Sequence, residues 1–222
     1  MDNLHDRIYR NLAAIRKRIA EAADRAHRSP EEVRLVAVTK TVSLAEVRIL
    51  INLGIRDFGE NRVEDARPKI EAIAAPATWH MIGSVQRRKA RDVVALFDTV
   101  DSIDRIELAE TLDQRAGEAG KIVPVLVEVN VSGEETKHGF TMETIESALQ
   151  RMAQMRYIRV QGLMTMAPLV DNPEIVRPVF ARLRMLSDRF GLPERSMGMS
   201  NDFEVAVEEG ATQVRIGTAL FA

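Results

Sequence analysis

Short apolar runs rich in β-branched residues recur along the whole chain, at 35–40, 56–59, 79–83, 99–102, 123–129, 158–166, 197–200 and 213–220, with helical stretches between them. Strands divided by helices pair in parallel through crossovers, so this order predicts an α/β fold around a parallel sheet. Eight repeats favour a closed (β/α)₈ TIM barrel over an open doubly wound sheet. Ser43 with Glu46 forms a capping box for a helix running to Leu53, before Gly54. Further helices are predicted after Asn61 as far as Ala75, over 86–96, and from a cap at Asp104 through Ile106, Ala109, Leu112 and Ala116. The last three cover 142–155, 173–190 (Ile175, Val179, Leu183 and Leu186 in register) and 202–209.

One more helix precedes the first strand, where Leu4, Ile8, Leu12, Ile15, Ile19 and Ala22 form an apolar stripe. With no helical stretch after the eighth strand, this helix is expected to fill the place of the eighth crossover. No linker, repeat or low-complexity tract divides residues 1–222, which read as a single domain.

The 222 residues can bury a sizeable core, and 45% hydrophobic with 29% charged residues is an ordinary globular balance. A net charge of −2 supplies no basic field for nucleic acid or anionic membrane. Cysteine is absent, which removes disulfides, thiolate nucleophiles and Cys-ligated metals. The four histidines, His5, His27, His80 and His138, lack metal-ligand spacing, so no metal is expected. There is no dinucleotide fingerprint, Walker A motif, nucleophile elbow, membrane-length apolar run or signal-peptide core. These features predict a cytoplasmic enzyme or small-molecule binder.

Barrels carry their function at the carboxyl ends of the strands. That rule selects Lys40, Asn61, His80 with Gly83, Asn130, residues 164–166, Ser200, and Arg215 with Gly217 and Thr218. Lys40 closes a buried-type strand and shares a face with Val36 and Val38. An amine in such a place loses hydration, which suits Schiff-base chemistry; taken alone, the favoured reading is a lysine snorkelling into water. The loops after strands seven and eight are common phosphate sites, and Ser200, Gly217 and Thr218 offer hydroxyls and a close backbone there. A capped helix and a glycine turn are the structural alternative. Arg215 lies opposite the apolar pair Val214 and Ile216 and so points into the barrel, where it needs a carboxylate or a ligand acceptor. His80 is as much a core histidine as a site residue. The basic run at 87–91 reads as one solvated helix face, and Glu134, Lys137 and His138 as a polar loop that either reaches the mouth or simply connects. An amine, an anion cradle and an inward guanidinium together fit pyridoxal 5′-phosphate (PLP).

The stretches Val38-Thr39-Lys40, Phe58-Gly59-Glu60-Asn61, Trp79-His80-Met81-Ile82-Gly83, Gly162-Leu163-Met164, Ser196-Met197-Gly198-Met199-Ser200 and Val214-Arg215-Ile216-Gly217-Thr218 resemble, in order and spacing, the pyridoxal phosphate homeostasis protein family. That family is similar to the N-terminal barrel of alanine racemase. The resemblance implies an internal aldimine on Lys40, phosphate held by Ser200, Gly217 and Thr218, and Arg215 facing the pyridine nitrogen. Asn61, His80 and Met164 would line the cofactor. Arg88 stands where the family usually has asparagine.

An arginine at the ring nitrogen disfavours its protonation and weakens the electron sink. Racemases that accept this use two bases, one of them a tyrosine from a second domain, whereas Tyr9 and Tyr157 lie at no strand end here. The expected function is therefore a non-catalytic PLP carrier in cofactor homeostasis and amino-acid balance, monomeric, with PLP-requiring apo-enzymes as recipients. A stand-alone amino-acid racemase and a phosphosugar-binding barrel without a Schiff base are the alternatives.

Overall fold

The computed structural model describes residues 3–134 and 137–222. Eight parallel strands close into a barrel in chain order: β1 Arg34–Val38, β2 Asp57–Glu60, β3 Thr78–Met81, β4 Thr99–Ile103, β5 Val123–Glu128, β6 Ile158–Met164, β7 Glu194–Ser196 and β8 Gln213–Ile216. Around them lie α1 Leu4–Arg25, α2 Leu44–Asn52, α3 Val63–Ala72, α4 Ala90–Leu96, α5 Ile106–Glu118, α6 Ile145–Met152, α7 Arg177–Arg189, α8 Phe203–Glu208 and α9 Thr218–Phe221. The expected (β/α)₈ barrel is the architecture observed. None of the described helices is long and apolar enough to cross a membrane.

The strand pattern explains where the core sits. Strands in a parallel sheet are covered on both faces, so they read as continuous apolar runs. Ala37, Phe58, Trp79, Val125, Val127, Val214 and Ile216 face outward and join helix residues such as Val47, Leu50, Val93, Leu112 and Phe180 in one buried cluster. Phe58 and Trp79 on adjacent strands pack with ring centroids 5.2 Å apart.

Helix α1 packs against α2, α8 and α9, so it takes the eighth helical position on the barrel wall. Its apolar stripe is buried from Ile8 to Ala23, and its polar flank is tied down by Arg18–Glu204 (2.6 Å) and Arg25–Glu208 (2.7 Å). Asn11 Nδ2 donates to the carbonyls of Leu220 and Ala222, joining α1 to the last helix.

Several boundaries differ from the sequence expectation. The seventh strand is Glu194–Ser196, and 197–200 is the loop that follows. Gly198 has φ +93°, and a Cβ there would lie 2.6 Å from Ala206 Cβ, so the chain turns under α8 where the apolar methionines suggested extension. The eighth strand stops at Ile216, and Thr218 opens α9. The segment at 173–190 begins with a 3₁₀ turn, Pro173–Val176, which rotates the face: Val176, Phe180, Leu183 and Leu186 are buried while Ile175 is 66% exposed. Asp104 does not cap α5, whose N-cap is Arg105; its carboxylate instead pairs with Arg105 (2.5 Å) and accepts from Ser84 Oγ (3.3 Å). Helices α3 and α6 and strand β6 are also shorter than expected.

The barrel interior is strongly polar. Val36, Leu126 and Met164 are buried outside the outer cluster, and around them runs a continuous hydrogen-bonded chain. Arg215 Nη1 donates to Ser196 Oγ (2.6 Å) and Nη2 to the Thr165 carbonyl (2.9 Å). Gln213 Nε2 donates to Ser196 Oγ (3.1 Å) and to Asp101 Oδ2 (2.7 Å). His80 closes the chain, with Nδ1 2.9 Å from Asp101 and Nε2 3.1 Å from Asp57. Burial works against the imidazolium, but the two carboxylates outweigh it and hold the His80 pKa at about 9. Burial likewise pushes Asp101 up, and His80 with the bonds from Gln213 and Thr99 reverses this and holds it low.

A group whose folded pKa is raised contributes stability that is complete below its unfolded value, 6.5 for histidine, and lost as pH rises through about 9. A shift of this size is worth on the order of 3 kcal/mol. The melting temperature of His80→Gln should therefore fall furthest below that of the parent near pH 6, and the gap should shrink as pH passes 9. Thermal unfolding followed by circular dichroism across that range checks this, and a pH-independent gap would contradict the assigned charge.

Candidate functional site

At the carboxyl ends of the strands, the barrel opens into a cavity of about 660 Å³. Six of the eight residues that the family resemblance assigns to the cofactor line it: Lys40, Asn61, Ser200, Arg215, Gly217 and Thr218. They come from the ends of β1, β2, β7 and β8, which adjoin around the closed sheet.

Lys40 lies two residues past β1, in the turn that leads to α2. It is exposed, so the expected loss of hydration is not met, and it lines the cavity from the rim. Arg215 occupies the cavity floor and is 4% exposed. Burial lowers its pKa from the ordinary guanidinium value, and the charges of Asp101, Glu128 and Asp202 oppose that fall. Among the described residues no carboxylate lies within ion-pair distance of Arg215, whose hydrogen-bond partners are one hydroxyl and one carbonyl. The guanidinium therefore keeps capacity for a ligand acceptor, as its place in the sequence suggested.

The wall beside Lys40's turn is built from the loops after β7 and β8. The Ala219 N–H points at Ser200 Oγ (3.4 Å), which ties the two loops together. Asp202 Oδ1 accepts from the Met199 N–H at 2.6 Å and folds the first of these loops. Burial raises the Asp202 carboxyl pKa, and the Met199 bond and Arg215 moderate the rise. At Gly217 a Cβ would meet Val38 at 3.4 Å and fill part of this wall. The two hydroxyls and the backbone of these loops give this wall donors whose hydrogen bonds an anion could accept.

Two expected residues are elsewhere. His80 lies at the opposite end of the barrel, lining a separate cavity of about 360 Å³ with Asp57, Asp101, Glu194 and Gln213. Met164 is 1% exposed and sits inside the barrel below the cavity, which is lined instead by Met166, Pro168 and Leu169. Asp202, Asn201 and Phe221 also line the site; 202 read from the sequence as a helix start, and 221 lay beyond the last expected strand.

The remaining candidates have local explanations. Asn130 organises its own loop, with Nδ2 donating to the Glu134 carbonyl (2.8 Å). Lys137 pairs with Glu134 and donates to the Met166 carbonyl (3.2 Å), so this loop braces the cavity rim, while His138 is 71% exposed. Gly83 is pressed against the Asn61 backbone and lines a neighbouring cavity of about 720 Å³ that contains Arg88 and Lys89. Those basic groups are engaged locally, Arg88 with Gln86 (2.9 Å) and Lys89 with Glu64 (2.5 Å), as the solvated-face reading expects. Among the described residues no group of three or more His, Asp or Glu side chains could hold a metal.

Comparison with known proteins places this geometry. Residues 10–222 match the family model of the alanine racemase N-terminal domain. The pyridoxal phosphate homeostasis protein of Aquifex aeolicus is 41% identical over 217 residues, covering 95% of each chain. The structure of PipY from Synechococcus elongatus with PLP bound superposes with a TM-score of 0.80 at 35% identity, over 92% of this chain and all of that one. An alanine racemase of Clostridium difficile shares only the fold, with a TM-score of 0.75 at 14% identity over 97% of this chain and 56% of its own. With its barrel matched end to end by such relatives, the chain belongs to the pyridoxal phosphate homeostasis protein family, within the wider family of alanine racemase N-terminal domains.

Proposed function

We propose that this protein binds pyridoxal 5′-phosphate, holds it through a Schiff base on Lys40, and serves the cell's PLP balance as a carrier. One observation carries the proposal: a single strand-end cavity is lined by Lys40, Arg215, Ser200, Gly217 and Thr218. Bound there, the cofactor supplies an aldehyde carbon and an electron-withdrawing ring. The residues fit such a group. Lys40 offers the amine, the Ser200 and Thr218 hydroxyls and the open backbone at Gly217 suit a phosphate, and Arg215 presents N–H donors to an unprotonated ring nitrogen. Asn61 flanks the ring. PipY, which binds PLP, and the homeostasis proteins among the relatives support the same reading.

A carrier role, in preference to the stand-alone racemase, is supported by which side chains lack access to the cavity. Tyr9 is 57% exposed on α1, and Tyr157 precedes β6 at the far end of the barrel with its ring against Gly117. Neither lines the cavity. Arg215, a cation placed at the ring nitrogen, would keep that nitrogen unprotonated and the electron sink weak. As part of the same proposal, the protein acts in the cytoplasm as a monomer and passes PLP to apo-enzymes that require it.

Mixing the purified chain with PLP should produce Schiff-base absorbance, and borohydride reduction should leave the adduct on Lys40. Lys40→Ala should abolish both, whereas an unchanged spectrum in that variant would refute the proposal. Removing two hydrogen bonds to a charged phosphate should cost roughly 3 kcal/mol, about a hundredfold in affinity. Equilibrium titration of Ser200→Ala/Thr218→Val with PLP should show that loss, with Lys40 still reactive at high cofactor concentration.

A further inference from the structure

Behind the cavity, on the outer face of the sheet, lies a buried ion pair that no part of the cofactor reading uses. Lys69 on α3 is 9% exposed and Glu60 at the end of β2 is fully buried. Lys69 Nζ is 2.8 Å from Glu60 Oε1 and donates to the Thr39 carbonyl at 2.5 Å. Thr39 Oγ1 donates to the same Glu60 oxygen at 2.6 Å. The Thr39 N–H bonds to the Gly59 carbonyl (3.0 Å), and the Val42 N–H donates to the Thr39 carbonyl (3.2 Å). Thr39 is thus held at its amide, hydroxyl and carbonyl, immediately before Lys40.

Stability alone is a poor reason for this arrangement. Burying an ammonium and a carboxylate costs desolvation that well-packed apolar side chains avoid. Glu60 Oε2 is buried and has no hydrogen-bond partner among the described residues, so the pair is not even fully satisfied. Its geometry has one clear consequence. The Thr39 carbonyl and the Lys40 N–H belong to one rigid peptide plane. Gripping that carbonyl from behind sets the direction in which the Lys40 backbone leaves the strand. Lys40 is exposed and carries a flexible four-carbon stem, so backbone anchoring is what limits the volume its amine explores. Restricting that volume raises the effective concentration of the amine at a bound aldehyde.

We propose that Lys69 and Glu60 are positioning residues for Lys40, acting through the Thr39 peptide. This rests on the Schiff-base role of Lys40 given above. In that step the Lys40 amine adds to the aldehyde carbon and water is expelled, and the pair changes how fast the amine arrives without touching either reactant. Neither residue lines the cavity, so cofactor binding that does not involve Lys40 should be indifferent to them.

Two readouts separate positioning from general structural support. Pyridoxine 5′-phosphate has the ring and phosphate but an alcohol in place of the aldehyde, so its affinity, measured by calorimetry, reports the cavity without Lys40. The rate of imine absorbance after rapid mixing with PLP reports Lys40. Lys69→Met/Glu60→Met replaces the pair by apolar side chains, and imine formation should slow roughly tenfold or more while pyridoxine 5′-phosphate affinity stays within about twofold of the parent. Lys69→Gln, which ends one bond short of Nζ, should do the same more mildly and serves where the double variant does not fold. Parent imine rates in a folded variant would overturn the positioning role, as would an equal loss in both readouts. Retention of the imine by Lys40→Ala would bring down the Schiff-base reading and this role with it. Loss in Lys40→Ala alongside parent rates in the pair variants would remove only the positioning role.

Discussion

Closing the sheet obliges β8 to lie beside β1, and the register that does so, Val36 opposite Arg215 and Ala37 opposite Ile216, carries the two ends of the chain into one mouth. Lys40 follows β1 by two residues and Thr218 follows β8 by two, so the amine and the anion cradle become neighbours although most of the sequence lies between them. A slip of one residue would turn Arg215 outward and bury Val214 or Ile216 among polar groups in the barrel. The apolar outer faces of β1 and β8, packed beneath α1 and α2, make such a slip costly. Core packing and site geometry are thus set by the same alternation.

The barrel is held by apolar contacts outside and by a polar chain inside, and the two do different work. The outer layer supplies most of the driving force for folding. The inner chain, from Asp57 through His80, Asp101, Gln213 and Ser196 to Arg215, orients the guanidinium at the cavity floor. Each polar group in it would be costly alone, and each is compensated by its neighbours. His80 therefore acts far from the cavity but remains connected to it. A histidine deep in a barrel, charged between two carboxylates, is a structural element here.

Much of this was legible in the sequence because strand ends are visible there: an apolar run that stops on a polar residue announces a barrel mouth. Lys40, Asn61, Ser200, Arg215, Gly217 and Thr218 were found that way. The failures have physical causes. His80 stands near the start of its apolar run, second in the stretch 79–83, and so lies low in the barrel, and periodicity does not say how far up a barrel a residue sits. Met164 failed for the same reason, with Met166 two residues further along at the cavity. The seventh strand was displaced because Met197 and Met199 look like strand residues, whereas Gly198 at positive φ turns the chain there. Asp202 was read as a helix signal, whereas its carboxylate accepts from the Met199 N–H and folds the loop after β7 against the cavity, a turn that a helix-start pattern does not distinguish. The Glu60–Lys69 pair was hidden too, since both residues sit in a charged stretch of ordinary appearance.

The proposed carrier role depends on the difference between fixing a ligand and transforming it. Fixing needs donors in place before the ligand arrives, and the Ser196-held guanidinium, the loop tie from Ala219 to Ser200 and the clamped Thr39 peptide all have that character. Transformation needs charge to develop against an electron sink and a second base on the opposite face of the ring. A cation on the cavity floor works against the first, and both tyrosines lie away from the cavity. Lys40 is meanwhile exposed at the rim, where water and an incoming acceptor can reach the carbon–nitrogen bond it would form. For a catalyst that exposure would admit hydrolysis of every reactive intermediate. For a carrier, the same exposure would leave the bond open to the hydrolysis that release of the cofactor requires.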